Sequence, residues 1–282
     1  MTIPEQIQQL LNLNQPIGLV AGEGQLPHIV VESAQQWGLP IKVYALDKDQ
    51  YRYFSQRLGK DHVRQMPLGM LQKSYDMVQA DGVKHVLFAG KVNKWLLLRQ
   101  PKLDGRALGL LKKLALRSDD GVMLTLLKDI DEAGFEILPQ DLFLKPLFLP
   151  KGLYSQHNPT EEQQRDIDLG LQTAKEIARL DIGQSAIVSN GMVIALEAIE
   201  GTDRAILRCK EWVKNKGGCL AKVEKPNQDK RFDIPTVGPR TVESMRKAGL
   251  NVLAIEADKT MVLDHAKVFD LVNKYKMVFV AQ

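Results

Sequence analysis

Ile17-Gly18-Leu19-Val20-Ala21-Gly22-Glu23-Gly24-Gln25-Leu26-Pro27 passes from an apolar run into a glycine-rich turn. A helical pattern from His28 to Gln36 follows. Strand, glycine turn and helix together make a phosphate-cradling unit, because backbone N–H groups and the helix dipole face an anion. Pro27 suits a helix start, where its missing N–H costs nothing. Gly22, Gly24, Gln25 and Leu26 are therefore predicted phosphate contacts; the alternative is a tight turn that binds nothing. Further out come a strand (Ile41 to Leu46), a helix (Leu68 to Ala80) and a strand (Val83 to Phe88) ending in Ala89-Gly90-Lys91. Alternating elements of this kind predict a Rossmann-like parallel sheet, with ligands at the carboxyl ends of its strands. Lys91 sits at such an end and is a predicted phosphate contact, with a plain surface lysine as the alternative. Asp47 resembles a ribose-binding acid, but Pro27 stands where the dinucleotide fingerprint wants glycine.

The 282-residue chain is long enough for two domains. Its hydrophobic content of 44% and charged content of 26% are those of a soluble globular protein. Cys209 and Cys219 lack ligand spacing, so neither a zinc site nor a disulfide framework is expected, and a reducing compartment is. With no secretory pattern and no apolar run long enough to span a bilayer, the expected location is cytoplasmic. The net charge of +4 does not by itself imply nucleic acid.

From Lys91 to Arg117 there are eight Lys or Arg residues and one acid, Asp104, interleaved with leucines. Such a segment either lies on an anionic bilayer surface or is a core helix with a solvated basic face. It is too apolar, and too poor in stacking aromatics, for a nucleic-acid channel. Ser118-Asp119-Asp120 opens the next helix, and Phe135 to Leu138 closes the first domain as a strand. Four prolines between Pro139 and Pro159 mark the crossover to a second domain.

In that second half Thr160-Glu161-Glu162-Gln163 is a capping box for a long helix to Leu180. Asn190-Gly191 joins two strand-like runs as a hairpin. Thr202 or Asp203 is the predicted cap of a helix reaching Val213, and Pro239 to Ala248 and His265 to Lys274 are further helices. Lys222 to Gly238 (Lys-Val-Glu-Lys-Pro-Asn-Gln-Asp-Lys-Arg-Phe-Asp-Ile-Pro-Thr-Val-Gly) is a stiff, charged loop. Asp233, held by apolar Phe232 and Ile234, suits a general base or metal ligand, or simply caps a turn.

Val-Ala-Gly-Glu-Gly-Gln-Leu-Pro (20–27), Phe-Ala-Gly-Lys-Val (88–92), Ser-Asp-Asp (118–120), Leu-Asp-Ile-Gly-Gln (180–184), Glu-Ala-Ile-Glu-Gly-Thr-Asp (197–203) and Phe-Asp-Ile-Pro-Thr-Val-Gly (232–238) occur in one order. Together they resemble the LpxI-type UDP-2,3-diacylglucosamine pyrophosphatases, from about Ile17 to the C-terminus. The resemblance implies hydrolysis of UDP-2,3-diacylglucosamine to UMP and 2,3-diacylglucosamine 1-phosphate in lipid A synthesis. It also implies a divalent cation, usually Mg²⁺ in that family, and places the family's essential aspartate on Asp233. Lys91 and Glu23 depart from the family pattern.

The residues agree with this assignment. Gly22, Gly24, Gln25, Leu26, Lys91, Thr202, Lys222 and Lys225 are the expected substrate and phosphate contacts. Asp233 is the expected catalytic group, and Asp233 with Asp203 the expected metal ligands. The expected fold is α/β in two domains: a helical extension (1–16), a Rossmann-like N-terminal domain with a parallel sheet (17–145), and a smaller C-terminal α/β domain with a mixed sheet (146–282). The expected partners are the lipid-linked nucleotide sugar and the inner-leaflet membrane surface, met peripherally, with no nucleic acid. The oligomeric state stays open, a homodimer among the alternatives. The rival readings are an NAD(P)-binding oxidoreductase and a non-catalytic nucleotide- or lipid-binding module.

Overall fold

A computed structural model of the chain describes residues 3–91, 103–114, 119–213 and 216–282. The chain forms two compact units, Met1–Leu144 with Lys230–Phe232, and Lys145–Asp229 with Asp233–Gln282.

The first unit begins with α1 (Glu5–Leu13), which buries Ile7 and Leu10. Then come β1 (Ile17–Ala21), α2 (Leu26–Gln36), β2 (Ile41–Ala45), α3 (Lys48–Leu58) and β3 (Val63–Gln65). After these follow α4 (Leu71–Ala80), β4 (His85–Ala89), α5 (Gly105–Leu114), α6 (Asp119–Glu132), β5 (Glu136–Ile137) and α7 (Asp141–Leu144). The strands form one sheet in the order β3-β2-β1-β4-β5, and every pairing in it is parallel. This is the predicted Rossmann-like sheet. All five residues of β1 are buried, which is why that strand reads as an unbroken apolar run rather than an alternating one.

Helix α3 had no clear sequence signal. It buries only Gln50 and Phe54, too few apolar positions to show a helical period. Its start is set instead by Asp47, whose Oδ1 accepts hydrogen bonds from the amides of Asp49 and Gln50 at 2.9 and 2.8 Å. Asp47 is thus an N-cap. In the basic leucine-rich segment, residues 92–102 and 115–117 lie outside the described residues, as does Ser118 just after it. In the described part, Arg106 pairs with Asp129 at 2.8 Å and Ala107 and Leu110 are buried.

In the second unit, β6 (Gly152–Leu153), α8 (Glu161–Arg179), β7 (Ser185–Ser189), β8 (Met192–Leu196), α9 (Thr202–Arg208), α10 (Lys210–Val213) and β9 (Cys219–Lys222) come first. They are followed by β10 (Thr236–Val237), α11 (Pro239–Ala248), β11 (Val252–Ile255), β12 (Met261–Val262), α12 (His265–Lys274) and β13 (Val278–Ala281). The six-stranded sheet has the order β6-β13-β11-β9-β7-β8. Its centre is parallel and its flanks antiparallel, so the sheet is mixed, as expected. The Thr160–Gln163 capping box is present. At the hairpin tip Asn190 and Gly191 have φ of 52° and 71°, the two positive values that a type I′ turn requires.

The helix expected from Thr202 to Val213 is broken at Cys209 into α9 and α10. Its N-cap is Gly201, because the Thr202 hydroxyl is engaged elsewhere.

Candidate active site

Three of the quoted motifs meet in the second unit. Strand β9 sits between β11 and β7, and its last residue is Lys222, only 5% exposed. Lys222 pairs in register with Ser185 across the antiparallel β7–β9 ladder, so both side chains rise from one face. Leu220, two residues earlier, belongs to the core on that face together with Ile187 and Ile255. An apolar sheet face thus carries a cation at its carboxyl edge. Lys222 Nζ donates to Thr202 Oγ1 at 2.7 Å, and the Thr202 hydroxyl donates to Glu197 Oε1 at 2.8 Å. Burial pushes the Lys222 ammonium below the ordinary lysine range, while Glu197, Asp233 and Asp203 pull it back up.

The motif Leu-Asp-Ile-Gly-Gln presses on this group from below. A Cβ on Gly183 would meet Glu197 O at 2.1 Å, so only glycine permits that approach. Glu197 N donates to Ser185 O at 2.9 Å and Val223 N to Gln184 O at 3.0 Å. Asp181 Oδ1 accepts from Lys225 Nζ at 2.7 Å, which ties the stiff loop to the same motif.

Within that loop Asp233 N donates to Asp229 O at 2.9 Å, and the Gln228 side-chain amide donates to Asp233 Oδ2. The other end of the Gln228 amide accepts from Lys225 N at 2.9 Å. Gln228 therefore orients the Asp233 carboxylate. Glu224 N donates to Glu256 Oε2 at 3.0 Å, which fixes the start of the loop. Asp203 is paired with Arg240 at 2.9 Å and accepts from Ser244 at 3.4 Å. The structure thus brings Thr202, Asp203, Lys222, Lys225 and Asp233 into one neighbourhood. Glu197, Gln228 and Arg240 belong to the same neighbourhood and were missed, since a glutamate in a motif, an amide and a helix arginine carry no distinctive spacing.

In the first unit Gly22 and Gly90 lie at the adjacent carboxyl ends of β1 and β4. A Cβ on Gly22 would meet Lys91 O at 2.6 Å, and one on Gly90 would meet Glu23 O at 2.7 Å. The two turns are hydrogen-bonded to each other: Gly22 N to Ala89 O, Glu23 N to Lys91 O and Lys91 N to Glu23 O, at 2.9, 3.0 and 2.8 Å. The Gly22 amide is thereby satisfied internally. Among the described residues, the amides of Gly24, Gln25 and Leu26 have no such acceptor, and they lead into α2. Lys91 and Glu23 are exposed.

A cavity of about 390 Å³ lies at the opposite edge of that sheet, lined by Leu10, Leu13, His85 and Glu136 among others. None of the residues singled out from the sequence lines it.

Both cysteines are buried, and burial raises the Cys209 thiol to about 11 and the Cys219 thiol further. Neither is a poised nucleophile. Among the described residues no group of three or more His, Cys, Asp or Glu is gathered to hold a metal, and no helix is long and apolar enough to cross a membrane.

One α/β unit has a parallel sheet and the other a mixed sheet with a buried lysine at a strand's carboxyl end, which defines a two-unit α/β protein. Family models match both: that of the LpxI N-terminal domain over residues 16–147 and that of the LpxI C-terminal domain over residues 150–280. A UDP-2,3-diacylglucosamine pyrophosphatase LpxI from Caulobacter vibrioides is 33% identical over 267 residues, covering 89% of this chain and 92% of the relative. The chain belongs to the LpxI family of enzymes.

Proposed function

We propose that this chain hydrolyses the pyrophosphate of UDP-2,3-diacylglucosamine, releasing UMP and 2,3-diacylglucosamine 1-phosphate in lipid A synthesis. The observation that carries this reading is the coincidence of a family match across both units with one charged cluster built from three of the family-like motifs. Cleaving a phosphoanhydride requires neutralising the phosphate charge and readying a water molecule. Lys222 and Lys225 supply charge in the second unit, and the Thr202 hydroxyl, whose proton goes to Glu197, supports Lys222. The amides at Gly24, Gln25 and Leu26, with Lys91 beside them, supply an anion-facing turn in the first.

Asp233 is the group we assign to water. Its carboxylate is oriented by Gln228 and attracts the buried Lys222 ammonium, which puts the base beside a cation that would face phosphate. The nearby oxygen donors, Asp233 and Asp203, are of the hard kind that Mg²⁺ prefers. Mg²⁺ is commonly held by one or two carboxylates plus substrate phosphate, so no larger cluster is required. These two residues would hold the ion, which when bound neutralises phosphate charge. We also assign the lipid substrate to a cytoplasmic protein acting at the inner-leaflet surface.

Purified protein incubated with UDP-2,3-diacylglucosamine and Mg²⁺ should release UMP, and intact substrate would overturn the activity. Asp233→Ala should lower kcat by at least about a thousandfold while leaving substrate binding, as removal of a catalytic group does. A variant turning over near the wild-type rate would leave Asp233 only a structural role.

A further inference from the structure

Glu197 is a carboxylate only 9% exposed. A buried carboxylate is tolerated when hydrogen bonds and an opposite charge compensate it. At Glu197 the compensation is one-sided. Oε1 accepts from the Thr202 hydroxyl at 2.8 Å, whereas Oε2 is enclosed with no hydrogen-bond partner. The direction of the chain of bonds follows from donor count. Threonine has one O–H proton, and Glu197 as a carboxylate can only accept, so that proton is committed to Glu197. Lys222, 2.7 Å away on the other side, must then donate to the Thr202 lone pair. One Lys222 N–H is thereby fixed, and two remain for other acceptors.

The backbone holds Glu197 rigidly. Its amide is bonded to Ser185 O at 2.9 Å, and Gly183 packs against its carbonyl. Ser185 is itself the register partner of Lys222. The distance from Glu197 to Lys222 is therefore set by the sheet rather than by a flexible loop. Asp233 and Asp203 also attract Lys222, and Asp203 already has Arg240 at 2.9 Å. Thr202 thus links the Lys222 ammonium to a carboxylate whose place is set by the sheet.

We propose that Glu197 is a positioning residue for pyrophosphate cleavage: acting through Thr202, it fixes the direction of the Lys222 ammonium, so that the two remaining N–H groups of that cation meet substrate phosphate. The inference rests on the function proposed above. It assigns Glu197 no contact with substrate.

The test is UMP release from UDP-2,3-diacylglucosamine with Mg²⁺ by the wild type, Glu197→Gln, Thr202→Val and the double variant, with the unfolding midpoint of each measured in parallel. Each single substitution should lower kcat by about tenfold to a hundredfold, the range seen when an outer-shell partner is lost. KM should change far less. The double variant should be no slower than the slower single one, because both break the same chain. Single variants with kcat within about twofold of wild type, a loss confined to KM, or a double variant equal to the product of the singles would each overturn the proposal. If Glu197→Gln does not fold at the assay temperature, the kcat and KM of Thr202→Val decide the matter by the same criteria. A wild type that releases no UMP would overturn the function and this inference with it. An active wild type with unaffected variants would overturn the inference alone.

Discussion

Glu256 shows how a single buried carboxylate can serve the loop that carries Asp233. It follows β11, accepts from Glu224 N at 3.0 Å and Lys259 Nζ at 3.0 Å, and forms an ion pair with Lys175 at 3.4 Å. Burial alone would raise its pKa, but the Glu224 amide and the two lysines outweigh burial and hold it below the ordinary value of 4.5. A carboxylate whose folded-state pKa is depressed contributes stability above its unfolded pKa. That contribution disappears as pH falls through the folded value. Glu256→Gln keeps the shape and loses the charge, so it should cost about 1–2 kcal/mol at neutral pH. In urea titrations the gap between variant and wild type should close once the pH is well below 4.5. A gap unchanged in acid would mean that packing, not charge, is what the residue supplies. Asp233→Ala acts at the same scale, removing the carboxylate that Gln228 orients.

Among the elements, the turn before β7 is the most constrained. Gly183 is not at positive φ, so its identity answers to space: a Cβ there would sit 2.1 Å from Glu197 O. Gly183→Ala should force the turn away from the end of β8 and cost about 1–3 kcal/mol, the usual range for overpacking. Because the displaced atoms belong to Glu197, kcat should fall as well, and by more than in an equally destabilised variant elsewhere. Thermal unfolding and UMP release on the same preparation check both halves. Elements with strong local signals were legible beforehand. The Thr160 capping box, the Asn190-Gly191 hairpin and the helix starting at Pro239 each depend on residues within a few positions of one another. Helix α3 was not legible, because it buries only Gln50 and Phe54 and so shows no apolar period.

At the scale of the whole molecule, α1 lies ahead of the family match, which begins at residue 16. It is nonetheless packed, with Ile7 fully buried and Leu10 6% exposed. Deleting residues 1–14 should lower the unfolding free energy by about 3 kcal/mol, from the loss of two buried aliphatic side chains. Turnover at a temperature where the shortened chain is folded should be unchanged, since every residue assigned to the site lies beyond that point. Loss of kcat without loss of stability would give the extension a part in function.

The amino-acid sequence by itself determined the two α/β halves, the strand–glycine–helix opening and the family to which the chain belongs. Those follow from periodicity, turn chemistry and ordered motifs, all of which act over short stretches. Only the tertiary structure decided that Gly22 is satisfied by Ala89 and serves close packing of two turns, leaving Gly24, Gln25 and Leu26 as the donors. It also decided that Asp47 caps a helix and that Glu197, Thr202 and Lys222 form one chain of hydrogen bonds. The reason is physical: a donor's partner and a charge's burial depend on which strands lie side by side. Strand β9 meets β7 and β11 only after the whole sheet has formed.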